Sequence, residues 1–358
     1  MDKHLKPGDA ELTVAELGTT GISCTCSFVL GQPDEQPEEL SETIALGAKL
    51  KLLGTETVQF HRLRMWPPAP ITRSPLPVEF DLDSLRIEYP FPQVPPEHVE
   101  AIREDDAFFS GYFVPATTAG TSAQLAQVEM FFHHAVSLAP ITVAALGQLT
   151  RGALVRGFYD ALAVTGPLRR EQLSWDPSQP PHDNWRIMRP LFTTLIALAA
   201  LGDDDRSIVA GLFSYEEWRL YVVAGLAPLE PVAAGGNNWS ALQVPLDVAQ
   251  AIERLRAGEE LTSDLLEPRV LLLARKPSGG FEPYELCPRS PRNRRRQAES
   301  KMSPCAPREP DSSQSSDSSS LPFPVPSPRR PPRLQPGRQR RRERRSRWRR
   351  TPGRRSSG

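Results

Sequence analysis

The chain has little cysteine, no long apolar run and no nucleotide-binding signature, and each lack removes a class of protein. Its four cysteines, Cys24, Cys26, Cys287 and Cys305, do not make a disulfide framework, and Cys24 and Cys26 are too close in sequence for an easy bridge. A reducing compartment is therefore expected. The start, Met1-Asp2-Lys3-His4-Leu5-Lys6-Pro7, lacks the apolar core of a signal peptide, so secretion is not expected. No uncharged apolar run reaches the roughly 18 residues of a membrane span. The longest, Pro190 to Gly202, has the length of a buried helix, and no membrane contact is expected. Walker loops, dinucleotide fingerprints and nucleophile elbows are missing, and no Cys/His pattern has zinc spacing.

The six histidines are His4, His61, His98, His133, His134 and His182. Only His133 and His134 adjoin. Neighbours in a helix point to different faces, so one is expected partly buried and the other exposed. The acidic runs Glu104-Asp105-Asp106 and Asp203-Asp204-Asp205 fall at expected helix ends, where capping and solvation account for them. Neither an enzyme, a cofactor, a metal nor a small-molecule substrate is expected from these residues.

What is present is a division of charge. From Pro288 to Gly358 there are 20 Arg and 1 Lys against 5 acids, an excess of 16 positive charges. The whole chain balances 43 basic against 43 acidic residues, so Met1 to Cys287 carries an excess of 16 negative charges. Asymmetry of this size suggests a basic arm for a polyanion. The densest part, Arg338 to Arg350, holds 9 arginines and Trp348 in 13 residues. Its candidate nucleic-acid contacts are Arg329, Arg330, Arg333, Arg338, Arg340, Arg341, Arg342, Arg344, Arg345, Arg347, Arg349, Arg350, Arg354 and Arg355. Trp348 is suited to stacking on a base. Arginines on phosphates release counterions and give salt-sensitive binding with little base specificity. Arg292 to Arg296 and Arg338 to Arg350 also have the layout of a bipartite import signal. Ser290, Ser303 and Ser327 precede proline, and Ser346 lies between arginines. Phosphorylation at any of them would weaken phosphate binding.

The expected fold class is mainly α, a helical body with a short strand- and loop-rich N-terminal part and a long disordered basic tail. Residues 1–41 read as a polar flexible arm, with Gly31 to Glu39 acidic and proline-bearing. Residues 42–94 read as a Pro-rich strand and loop segment of the body. Ser41 is placed to cap a helix through Leu53, and Val58 to Met65 alternates as a strand does. Residues 95–283 read as the helical core. Pro95-Pro96-Glu97 opens a helix to Phe109, and Thr121-Ser122 caps one to about Ala139 with Leu125, Val128, Phe132, Val136 and Ala139 on one face. A helix over Ile141 to Thr165 is interrupted by glycines. Asp183 or Asn184 caps the apolar helix ending at Gly202. Asp203 to Asp205 begin the next, and Ser214-Tyr215-Glu216-Glu217 begins another, to Gly225. One or two short helices over Pro245 to Leu266 and an apolar segment at Val270 to Ala274 close the body. Residues 284–328 read as a disordered Ser/Pro linker, and 329–358 as the basic tail.

This layout of helical body, Pro-rich spacer and Arg/Ser tail resembles viral coat and nucleocapsid proteins, hepadnaviral core proteins among them. Locally, Pro180-Pro181-His182-Asp183-Asn184-Trp185 looks like the Pro-Pro-x-x-Trp region of coat proteins from flexuous filamentous plant viruses, with one residue inserted. The aromatic, aspartate-bearing helix that follows in that family is replaced here by Pro190 to Leu195. The resemblance implies a self-assembling homo-oligomer that packages genomic RNA and is found in virions and host cytoplasm. The alternative is a nuclear or nucleolar regulator whose body binds a protein partner and whose tail gives import and nucleic-acid binding.

Overall fold

In the computed structural model the described residues are 6–65, 77–82, 94–169, 172–173, 181–226, 239–275 and 281–286. The fold is mainly α, as expected from the sequence, with nine α-helices among the described residues.

The N-terminal part departs from the expected flexible arm. Residues 7–41 hold α1 (Pro7–Thr20), β1 (Thr25–Leu30) and the first turn of α2 (Pro37–Leu53). Pro7 opens α1, Gly21 ends it at φ 71°, and the Gly21 and Ile22 amides close its last carbonyls. Only Val14 of α1 is buried, so its sequence carries almost no apolar stripe. β1 runs parallel to β2 (Thr57–Arg62), Thr25 opposite Thr57 and Leu30 opposite Arg62, with α2 as the crossover. Alternation places Val58 and Phe60 in the core, and Phe28 stacks on Phe60 at 5.5 Å.

Ser41 is inside α2, whose first turn is held by Glu39 accepting from the Gln36 amide at 2.9 Å. The Ser41 hydroxyl instead accepts from the Val155 amide at 3.0 Å and donates to the Pro37 carbonyl. It therefore caps a different helix, α6. Beyond β2, the described part of 66–93 is one short strand, β3 (Val78–Phe80), antiparallel to β4 (Phe113–Pro115). The prolines at 67, 68, 70, 75, 90 and 92 lie outside the described residues.

α3 (Pro96–Glu104) stops short of Phe109, because the Asp105 carboxylate accepts from the Phe108 amide at 3.0 Å and turns the chain. α4 (Ser122–Leu138) has the expected cap. Thr121 Oγ1 accepts from the Gln124 amide at 3.2 Å, and Gln124 Oε1 accepts from the Thr121 amide at 3.0 Å. All five residues of its expected face are buried, and so are Met130, Phe131 and Ala135. The predicted helix over 141–165 is two: α5 (Pro140–Leu149) and α6 (Leu154–Thr165). They separate where Arg151 and Gly152 both take positive φ, at 49° and 88°. Gly147 sits where α5 crosses α2, and a Cβ there would stand 2.5 Å from the Ala45 methyl.

α7 (Pro181–Leu198) and α8 (Asp203–Val223) follow. The Arg206 guanidinium donates to the Ile196, Ala197, Ala199 and Leu201 carbonyls, closing the end of α7. The second helix expected to begin at Ser214 is absent as a separate element. Ser214 donates back to the Ala210 carbonyl, Tyr215 and Glu216 point inward, and α8 continues through them. α9 (Val248–Ala257) starts at Asp247, whose carboxylate accepts from the Gln250 amide at 2.9 Å. The region expected to be helical to 283 ends in a sheet. β5 (Trp239–Val244), β6 (Arg269–Arg275) and β7 (Phe281–Leu286) form an antiparallel sheet in that order. The one-sided alternation that marks a half-exposed strand is missing from the apolar Val270 to Ala274 run.

One core joins β1, α2, β2 and α4 to α9. At its centre, Phe158, Phe131, Phe192, Trp185 and Phe213 form a chain of tilted ring contacts with centroids 4.9 to 5.6 Å apart. No single described helix is long and apolar enough to cross a membrane. α4 and α5 reach that length and apolarity only as a pair, which is bent by 117° and mostly buried.

Candidate functional site

The arginines from Arg329 to Arg355, Trp348, and the serines Ser290, Ser303, Ser327 and Ser346 lie outside the described residues. The same holds for the linker after Leu286. The described body offers four polar constellations, and their geometry separates framework from surface.

The first ties β2 to α4. Arg62 Nε donates to Glu129 Oε2 at 2.9 Å, and its backbone amide donates to Oε1 at 3.4 Å. Arg62 Nη1 donates to Asp81 at 2.8 Å and to Ser122. The two paired side chains are 2 % and 0 % exposed, which removes this pair from any surface chemistry. Burial pushes the Glu129 carboxyl up, against the pull of the Arg62 and Arg64 guanidiniums. The second joins α8 to α5. Pro140 has no amide hydrogen and Ala139 has no capping group, so α5 begins with orphan donors. Glu216 supplies the acceptor. Oε1 takes the Ile141 amide at 2.8 Å, and Oε2 takes the Thr142 amide at 2.9 Å and its hydroxyl at 2.6 Å. Burial raises Glu216 to about 7, opposed by the Thr142 hydroxyl, Arg219 and the two amides.

The third is the histidine pair. Neither residue is exposed, because α4 is packed on nearly every side. The rings lie 5.5 Å apart in an edge-on contact, and His134 Nδ1 is 3.4 Å from the Asn184 amide nitrogen. Burial lowers both to about 4, helped by His61 at His133 and by His133 at His134. Both are neutral at neutral pH. Among the described residues, no three His, Cys, Asp or Glu side chains are grouped to hold a metal ion. The acidic run Asp203 to Asp205 forms the solvated first turn of α8, as its position in the sequence indicated.

The fourth is a surface groove of about 580 Å³ between α7, α8 and β5. Arg186, Arg189 and Pro190 form one wall, and Ser214, Glu217, Trp218 and Tyr221 the other, with Leu242 at the end. Trp185, the tryptophan of the Pro-Pro stretch, is fully buried beneath and donates its indole N–H to Glu217 at 3.2 Å. Glu217 also accepts from Arg189 Nε and Nη2. Trp218 donates to Ser240 Oγ at 3.0 Å, fixing α8 to β5. The lining combines two arginines and a glutamate with the aromatic rings of Trp218 and Tyr221. Sequence reading singled out none of these lining residues as a site, because the groove exists only where α7, α8 and β5 meet.

The chain matches no family model, no curated protein and no solved structure.

Proposed function

We propose that this chain is a non-enzymatic, self-assembling coat or nucleocapsid-type protein that binds RNA without base specificity through its arginine-rich C-terminal segment. The observation that carries this reading is the charge division. The segment after Cys287 holds 16 excess positive charges, and the rest of the chain holds 16 excess negative ones. A body of that charge repels a polyanion, so binding falls to Arg329–Arg355 and to Trp348. The body supports the reading in a second way. Its buried carboxyls serve a helix cap and a strand–helix tie, which is framework chemistry. The α7–α8 groove favours a second reading, in which the body docks a protein partner and the basic segment acts in the nucleus.

Light scattering on the size-fractionated full-length protein, with and without single-stranded RNA at low and high salt, separates the two. Replacing the nine arginines of 338–350 by glutamine should abolish RNA-dependent growth of the particles. Removing one arginine–phosphate pairing should flatten the log–log salt dependence of binding by roughly 0.7. RNA binding unchanged in the nine-glutamine variant, or a monomer at every salt, overturns the packaging reading.

A further inference from the structure

We propose that Cys24 and Cys26 form a two-coordinate site for a monovalent thiophilic cation of the Cu(I) class. Cys24 immediately precedes β1, and Cys26 is the second residue of the strand. Alternate residues of an extended chain share a face, with Cα atoms about 6.6 Å apart. Both cysteines are half-buried, and both sulfurs address one hydroxyl. Cys24 Sγ lies 3.9 Å, and Cys26 Sγ 3.5 Å, from Thr55 Oγ1. The Cys24 thiol is also near enough to Cys26 to act on it directly. The two sulfurs therefore converge on one point at the edge of the β1–β2 pair.

The backbone under them is fixed. The Cys24 carbonyl accepts from the Glu56 amide at 3.0 Å, and Cys26 is paired with Val58. A disulfide needs Cβ atoms about 3.5–4.5 Å apart on converging bonds, whereas alternate side chains of a paired strand leave it roughly parallel and more widely spaced, so a bridge would require the backbone to move. A bridging cation has no such demand. With metal–thiolate bonds of about 2.3 Å, two sulfurs in line stand about 4.6 Å apart, within reach of alternate side chains on one strand face. The donor set selects the ion. Among the described residues no third His, Cys, Asp or Glu joins the two thiolates, a set that suits a soft, low-coordinate cation, whereas structural zinc requires four ligands. Binding exchanges two S–H bonds for two metal–sulfur bonds and releases two protons, with no change of oxidation state.

The test uses full-length, reduced protein with Cys287→Ser and Cys305→Ser, titrated anaerobically with Cu(I) against a chromogenic Cu(I) chelator. One chelator-resistant Cu(I) per chain is expected. Either Cys24→Ser or Cys26→Ser should abolish it, and X-ray absorption should show two sulfur neighbours. Thermal melts of the serine variants show that the loss is local. Thr55→Val, which removes only the hydroxyl, should retain the ion. No chelator-resistant Cu(I), retention by a single-serine variant, a nitrogen or oxygen coordination shell, or equal retention of Zn(II) overturns the proposal.

Discussion

The β2–α4 and α5–α8 faces each bury a glutamate completely, and they do so by different means. Glu129 meets a side-chain cation and therefore forms a buried ion pair. Glu216 meets backbone amides and a hydroxyl and therefore completes a helix. In the first case two desolvated charges offset one another. In the second, one carboxyl serves donors that α5 cannot serve itself, at the positive end of its dipole. The difference lies in what remains when either glutamate is removed: in one place a buried guanidinium whose one remaining carboxylate partner is the partly exposed Asp81, in the other stranded amides.

The largest expected effect follows from the buried guanidinium. Glu129→Ala should destabilise the fold by about 3–5 kcal/mol in chemical denaturation, because Arg62 stays buried. Replacing Arg62 by Met and Glu129 by Leu together should recover part of that loss. A double variant as unstable as the single one would break the comparison.

Glu216→Gln should cost about 2–3 kcal/mol, since an amide presents an N–H to one of the three donors. The same variant sharpens the pH behaviour. Glu216 is ordinarily near 4.5 and is held at about 7, so between those values the folded state binds a proton that the unfolded chain does not. Acidification through that window favours folding, on the order of 3 kcal/mol in all. His133 and His134 have the opposite sign. Held at about 4 against an ordinary 6.5, they favour unfolding as pH falls from 6.5 to 4. Removing Glu216 takes away this stabilisation on acidification and leaves the opposing histidines in place, so the variant's melting temperature should fall more steeply between pH 7 and 4.5 than the parent's. Equal slopes would mean that Glu216 is ionised throughout.

The smaller effects belong to single partners. Thr142→Val removes one of the three bonds to Glu216 and should cost about 1 kcal/mol in the same denaturation measurement. Asp81→Asn should cost less than about 1 kcal/mol, because Asp81 is partly exposed and Arg62 keeps Glu129.

This contrast also marks where sequence reading succeeds. Helix α4 carries its cap next to it, Thr121 with Gln124, and that start was legible; α9 also carries its own, Asp247 with the Gln250 amide, inside a stretch read only as one or two short helices. Helices α5 and α6 take theirs from elsewhere, Glu216 from α8 and Ser41 from α2, and α7 is closed by Arg206. A cap-like residue that serves another helix reads as a false start in its own. That is why Ser41 and Ser214-Tyr215-Glu216-Glu217 pointed to helix starts that do not exist. The parallel β1–β2 pair was half visible. Alternation marked β2, whereas β1 needed a partner some thirty residues away. The charge division was legible in full, because it depends on composition alone. The groove was not, because it requires two helices and a strand to meet.

The crossover β1–α2–β2 has a consequence in time. Its strands and helix lie between Thr25 and Arg62, so all three exist before α5 is made. The inner side of α2, however, packs on α5, with Ala45 against Gly147. The ribosome adds about 5–20 residues per second. The wait from Leu53 to Leu149 is then roughly 5–20 seconds. For that interval Ile44 and Ala48, fully buried in the finished protein, have no α5 to pack on. The nascent chain thus passes through a stage at which α2 is held only by its own first-turn bonds and by α1, β1 and β2.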